Sequence, residues 1–404
     1  MEIIRYKPKY IIMHFSHARK RVVSLLMILS FTLFNAFAQS GKETDTGKLE
    51  AQIQQIMDEH EAVNLQVAVV KGDDIIYTHS FGWKDLAAKT PLADNDIFRI
   101  ASISKSFSAT AIMQLVEAGK VSLDADVSDL IGFPIRNPKF PDIPITLKML
   151  LTHTSSLNDS QKYNSLDIMN PEKSEKWQGS YSDYAPGSAY KYCNLNYNTI
   201  GAIIEKISGQ RFDLYIKEHI IDPLGLYGGH AADLLNADLF AQIYRIDAET
   251  GDHVRSVSSY KILGDKLDAY RIGYDAPMLS PTGNVKINAT DLAKYMIMHK
   301  NLGIYNGTRI ISEASAEQMQ DQQVKIKEGS YYGFALGTYD DFLAIPGKRI
   351  RGHGGSMYGM RSGMYFNRED NFGIVVIASG AARDYLSLKG FRGKVIHALY
   401  KAFL

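Results

Sequence analysis

Two pairs of short apolar runs, each pair joined by a polar turn, limit the fold of this chain more than any other feature. Leu65 to Val70 and Ile75 to Phe81 flank Lys71-Gly72-Asp73-Asp74, and Met360 to Phe366 and Phe372 to Ser379 flank Asn367-Arg368-Glu369-Asp370-Asn371. Apolar runs of this length around Gly, Asn and Asp read as β-hairpins. Strands joined by so short a turn run antiparallel, because a parallel pair needs a crossover of about a dozen residues. Tyr332 to Tyr339 reads as a further strand. Helical spacing appears over Leu49 to Glu61 and from Ile103 through Phe107, Ala111, Ile112, Leu115 and Val116, with Gly119 as a stop. It returns over Thr199 to Ser208, Phe212 to Ile221, Ala289 to Leu302 and about Arg383 to Phe403. The expectation is an α+β fold. Residues 49–119 and 281–404 form a mainly antiparallel sheet flanked by helices, and 120–280 is an inserted, largely helical region completing an active-site cleft. The 404 residues, 45% of them hydrophobic, suffice for such a core.

Ahead of this body stands a leader. Arg19-Lys20-Arg21 precedes the apolar run Val22 to Phe34, and Ala36-Phe37-Ala38 precedes Gln39. A charged start, an apolar centre and a small-x-small end make residues 1–38 an expected signal peptide, cleaved after Ala38. The run is shorter than the ~20 residues of a spanning helix and contains Ser24, Ser30, Thr32 and Asn35, so no stable membrane insertion is expected after cleavage. The stretch before Arg19 is long, and Met13 is an alternative start. Residues 39–48 are polar and read as a flexible lead-in. The expected location is the periplasm or the outside of the cell. The leader holds six basic residues and one acid, so removing it takes the formal net charge from +1 to −4. A mildly acidic body without a basic block points to no nucleic acid partner. Cys193, the single cysteine, excludes an intramolecular disulfide and reads as a small buried residue rather than a nucleophile.

Reactive chemistry concentrates at Ser102-Ile103-Ser104-Lys105. A serine hydroxyl needs a base to attack at neutral pH, and side chains three apart share a helix face, so Lys105 can reach Ser102. If that lysine is desolvated its pKa falls and it can accept the proton. The same tetrad recurs at Ser188 to Lys191 and Ser258 to Lys261, but in tyrosine-rich, helix-poor surroundings that read as accidents. Only Ser102 stands at a helix start, where backbone N–H groups favour developing negative charge. Other constellations fail. Asp124 to Asp129 lacks the glycine and glutamate of a calcium loop, no His/Cys spacing suggests zinc, and Gly352-x-Gly354 lacks the third glycine of a dinucleotide loop. No metal or other cofactor is expected.

Three further segments accompany the tetrad: Leu150-Leu151-Thr152-His153-Thr154-Ser155, Tyr192-Cys193-Asn194 after the Pro186-Gly187 turn, and Gly352-His353-Gly354-Gly355. With Phe98 to Lys105 they stand in the order and approximate spacing of β-lactamase-related serine hydrolases. The chain resembles this penicillin-binding-protein-like group, closest to class C β-lactamases and their esterase and D-peptidase relatives, from about Ile53 to Tyr400. The resemblance implies the β-lactamase/transpeptidase-like fold, with Ser102 as nucleophile and Lys105 as the partner that takes or orients its proton. It implies Tyr192 as second proton handler, a phenolate only if cations lower its pKa. Asn194 would bind substrate or hold Lys105. His353 takes the place of the lysine in the family's Lys-Thr-Gly, Gly354-Gly355 would let a substrate backbone lie against the strand edge, and the N–H of Ser356 would join that of Ser102 as oxyanion hole. His153, between apolar residues and a turn, reads as structural.

Two departures bear on substrate. Relatives grip a substrate carboxylate with the lysine and threonine of Lys-Thr-Gly, whereas His353-Gly354-Gly355 keeps less fixed charge and lacks the hydroxyl. The expectation is an exported hydrolase of an ester, D-amino-acid amide or short peptide, cell-wall material among the candidates, with weak or no β-lactam turnover. A D,D-carboxypeptidase, a protein that binds cell-wall ligands without turnover, and a true class C-like β-lactamase are the alternatives. Ser156, where relatives often have glycine, and Asn284, where many have a second glycine, leave the cleft shape open. Oligomeric state is not readable.

Overall fold

Alternation along the hairpins decides which way each strand faces. In the computed structural model, which describes residues 45–382 and 388–404, the strands are β1 Asn64–Lys71, β2 Asp74–Asp85, β3 Thr90–Pro91, β4 Val324–Lys327, β5 Ser330–Tyr332, β6 Gly337–Tyr339, β7 Ile350–Met357, β8 Met360–Asn367 and β9 Phe372–Ser379. They form one nine-stranded sheet in the order β4-β5-β6-β7-β8-β9-β1-β2-β3, antiparallel at every pairing. The two hairpins meet at its centre, where β1 pairs β9 from Asn64↔Ser379 to Lys71↔Phe372. The signal peptide expected over 1–38 lies outside the described residues, as do most of the lead-in and the expected helix start at Arg383.

Successive side chains of a strand point to opposite faces. Leu65, Val67 and Val69 of β1 join Ile374, Val376 and Ala378 of β9 in one core layer, while Ala68 and Val70 join Val375 and Ile377 in the other. The first layer is covered by α1 Thr46–Glu59 and by the C-terminal helix Phe391–Phe403, through Ile53, Met57, Val395, Ile396 and Leu399. The second is covered by α2 Ser104–Glu117, α3 Asn194–Ser208 and α4 Ala289–Lys300. With α5 Phe391–Phe403, these are the five longest helices among the described residues.

Several boundaries differ from expectation for physical reasons. The helix expected from Leu49 starts at Thr46, so the end of the lead-in is helical. The run Tyr332 to Tyr339 is two strands. Gly333 N–H bonds to Leu336 O and Ala335 takes a positive φ, reversing the chain while Phe334, Ala335 and Leu336 stay buried, so the hydrophobic pattern does not show the turn. The Gly-rich segment at His353 lies within a strand, although glycine weakens strand propensity. Helix α3 begins five residues before Thr199, at Asn194. Around it, residues 120–280 are short helical turns, loops and the short strands Gly228–Gly229, Tyr244–Ile246 and His253–Arg255, less helical than expected.

Two features place the site. A small antiparallel sheet of Phe98–Arg99, Lys286–Ile287 and Gly228–Gly229 anchors the chain just before Ser102. On the large sheet, β6 pairs β7 only at Ile350, Arg351 and Gly352, so among the described residues no strand pairs 353–357 on that side.

Candidate active site

Ser102 sits in a tight turn, Ala101–Ile103, that runs into α2. Ala101 has φ +48°, a left-handed backbone that costs a non-glycine residue roughly 1–2 kcal/mol. That sharp turn presents Ser102, half-buried, beside the fully buried Lys105.

Lys105 is held from three sides. Its Nζ lies 3.2 Å from Ser102 Oγ, 2.9 Å from Asn194 Oδ1 and 2.8 Å from the Thr282 carbonyl. Asn194 Oδ1 and Thr282 O can only accept, so a neutral Lys105 spends its two N–H groups on them and turns its lone pair to the Ser102 hydroxyl. Burial lowers its pKa to about 7, opposed by the charge of Asp159 and by Cys193. At neutral pH a large share of Lys105 is therefore able to take a proton.

Asn194 is itself oriented. Asp159 accepts from Asn194 Nδ2 (2.9 Å), from Asn194 N (2.9 Å) and from Leu195 N (3.0 Å), which turns Asn194 Oδ1 toward Lys105 and ties down the first N–H groups of α3. Thr282 Oγ1 donates to the same Oδ1 at 2.8 Å. Cys193 Sγ lies 3.2 Å from Asp159 Oδ1, and burial pushes its thiol pKa up, so it is a buried residue and not a thiolate.

Tyr192 lies two residues before α3. Lys105 Nζ stands over its ring, 4.8 Å from the centroid, rather than on its hydroxyl. The side chain is 37% exposed overall, so the upward push on its pKa comes from desolvation around the hydroxyl, which the neighbouring Ser102 hydroxyl offsets only in part. The condition set for a phenolate, cations lowering the pKa, is not met, so Tyr192 is a neutral phenol at the nucleophile.

A chain of hydrogen bonds runs behind it. His153 Nδ1 accepts the Cys193 N–H at 3.2 Å, which leaves its proton on Nε2, 3.3 Å from Tyr332 Oη. Tyr332 Oη then donates to His353 Nε2 at 3.2 Å, and His353 Nδ1–H donates to Gly354 O at 2.6 Å. Both ends rest on backbone groups, so each tautomer is assigned. Burial, then the nearby Lys105, lowers His353 to about 4; burial, Lys105 and His353 take His153 well below its ordinary value. Both rings are neutral at pH 7. His153, read as structural, packs 4.3 Å from the Tyr192 ring.

Gly355 has a packing reason beyond substrate access. A Cβ there would fall 2.3 Å from Ile100 O and 2.3 Å from Ser362 Oγ, so β7 lies directly against the turn that carries Ser102. Gly354 faces the other way, where a Cβ would meet Tyr365 Oη at 2.8 Å. Ser356 follows with its side chain exposed. Ser156 holds φ +64° and accepts from Asn137 Nδ2, so the position where relatives carry glycine does need a left-handed residue. Asn284 bonds to His230 O and Leu279 O. Of the two other tetrads, Ser188 is an exposed turn residue bonded to Ala185 O, and Ser258 sits exposed in a short turn.

The structure thus gathers Ser102, Lys105, Tyr192, Asn194 and His353. It adds Asp159, Thr282 and Tyr332, which sequence reading missed. Asp159 lies in a polar loop and Thr282 acts largely through its carbonyl, so neither leaves a motif. Tyr332 lies in an expected strand, but only β-pairing brings it to His353.

Comparison with known proteins follows the same lines. The profile of the family described as Beta-lactamase matches residues 49–392. Penicillin-binding protein 4* of Bacillus subtilis (strain 168) is 29% identical over 286 residues, which is 68% of this chain and 59% of that protein. The chain thus spans about three fifths of that relative. Esterase EstB of Burkholderia gladioli is 28% identical over 197 residues, 44% of this chain and 50% of the esterase. Among solved structures, the octameric penicillin-binding protein homologue from Pyrococcus abyssi superposes with a TM-score of 0.71 at 28% identity, covering 88% of this chain and 77% of its own.

Proposed function

Because this chain belongs to the Beta-lactamase family, we propose that it is a serine hydrolase, acylated on Ser102, that cleaves an ester, a D-amino-acid amide or a short peptide outside the cytoplasm. One observation carries the reading: the buried Lys105, at a pKa near 7, lies within hydrogen-bond reach of Ser102 Oγ while fixed acceptors take its other protons. In acylation, Oγ bonds to the substrate carbonyl carbon as its proton passes to Lys105 Nζ. The N–H groups of Ser102 and Ser356 hold the oxyanion. The bond to the leaving group then breaks as Tyr192 supplies a proton, recovered from Lys105, and water releases the acyl group by the reverse transfers. The leader over 1–38 supports export.

His353 bears on substrate. A neutral imidazole, already donating to Gly354 O and accepting from Tyr332, offers no positive charge to a β-lactam carboxylate. Weak or absent β-lactam turnover is the expected outcome, and nitrocefin hydrolysis at rates typical of dedicated β-lactamases overturns it. A peptidase acting on D-Ala-D-Ala has its own support in the open edge of β7, which suits an extended peptide. Intact-mass detection of the acyl-enzyme over esters, D-peptides and β-lactams, with Ser102→Ala and Lys105→Ala as controls, separates these readings. A fluorophosphonate probe that labels any residue other than Ser102 sinks the nucleophile assignment.

A further inference from the structure

We propose that the cleft beside Ser102 binds a negatively charged group on the acyl half of the substrate. The cleft, about 640 Å³, is lined by four cationic side chains, Arg99, Lys162, Lys261 and Lys266, and by one carboxylate, Asp159. That carboxylate is already engaged by Asn194 N, Asn194 Nδ2, Leu195 N and Cys193 Sγ. Lys162, Lys261 and Lys266 pair with no carboxylate among the described residues. Arg99 is buried at the wall, its Nε on Gly283 O and its guanidinium 5.3 Å from the Tyr358 ring. Like charges gathered in a concave site focus a positive field into it.

The cleft adjoins the nucleophile's site through Asp159, which lines it and orients Asn194 against Lys105. Ser102 and Lys105 stand just outside its lining, and Tyr192, His353 and Tyr332 do not line it. Tyr192 protonates the leaving group in the acyl-enzyme reading, on which this inference rests, so the leaving group lies toward those residues and the acyl group toward the lysines. The ligand class is a carboxylate or phosphate carried on the acyl tail.

The test compares kcat/KM for p-nitrophenyl hydrogen glutarate and for the neutral glutaramate ester of the same length. A third ester ending in a phosphate monoester separates the two kinds of anion. The expected result is a preference of about tenfold for an anionic tail, smaller in 0.5 M salt and lost in Lys261→Glu/Lys266→Glu. Lys120→Glu/Lys401→Glu, one beyond the far end of α2 and the other on α5 across the sheet, changes net charge equally and keeps the preference. A wild-type ratio near one, or one unchanged in the double variant, overturns the proposal. Intact mass shows separately whether Ser102 is acylated. If no ester acylates it, the acyl-enzyme reading fails and calorimetric titration with glutaric acid monoamide still decides. Binding abolished by the double variant supports the anion site, and absence of binding to the wild type overturns it.

Discussion

Lys105 is the residue on which the pH behaviour turns. A base that accepts the Ser102 proton must be unprotonated, so the acylation rate rises with pH through a single inflection near 7, measured with a p-nitrophenyl ester under single-turnover conditions. The negative charge of Asp159 favours the ammonium form, so Asp159→Asn moves that inflection to lower pH. It also sets an amide N–H against the donors of Asn194 and Leu195, costing about 1–2 kcal/mol in chemical denaturation. Tyr332→Phe leaves the Nε2 atoms of His153 and His353 without their shared partner in a buried site, and the expected loss is about 1–3 kcal/mol. Of these groups, Ser102, Lys105, Asn194 and the two histidines stood out in the sequence, His153 as a structural residue, but Asp159 and Tyr332 did not. Spacing along a helix exposes Lys105, whereas Asp159 and Tyr332 reach their partners across 35 and 21 positions, separations with no period to detect.

Among the elements, β7 and the turn before α2 behave as one piece, because Gly355 brings their backbones together. Gly355→Ala must push β7 away from Ile100, since the nearest obstacle is a carbonyl oxygen rather than a flexible side-chain end. The expected outcome is loss of acylation by roughly 10²-fold or more, from misplacing groups that must be set to within about an ångström, with a well-ordered far-UV spectrum retained. The hairpins β1–β2 and β8–β9 were legible because alternation and turn residues agree. β7 was not, because its three glycines carry no hydrophobic signal and its place depends on what packs over it.

Across the whole molecule the sheet separates two core layers, and only one faces the site. Ile53, fully buried on the inner face of α1, belongs to the other. Ile53→Ala therefore lowers stability by about 2–5 kcal/mol in thermal or urea unfolding while the pH inflection of acylation stays in place. A shift of that inflection would show the layers to be coupled. This layering was foreseeable from the hairpins, but the loops of 120–280 that wall the cleft were not, since their order comes from side chains and carbonyls meeting across the fold. β7 is a sheet-interior strand as far as Gly352 and an outer one beyond it. An extended chain seated along 353–357 would be gripped by its main chain, and main-chain bonds read length and direction but no side-chain identity. Choosing among substrates then falls to the loops around the cleft, so the residues that grip and those that discriminate can change independently in the course of evolution.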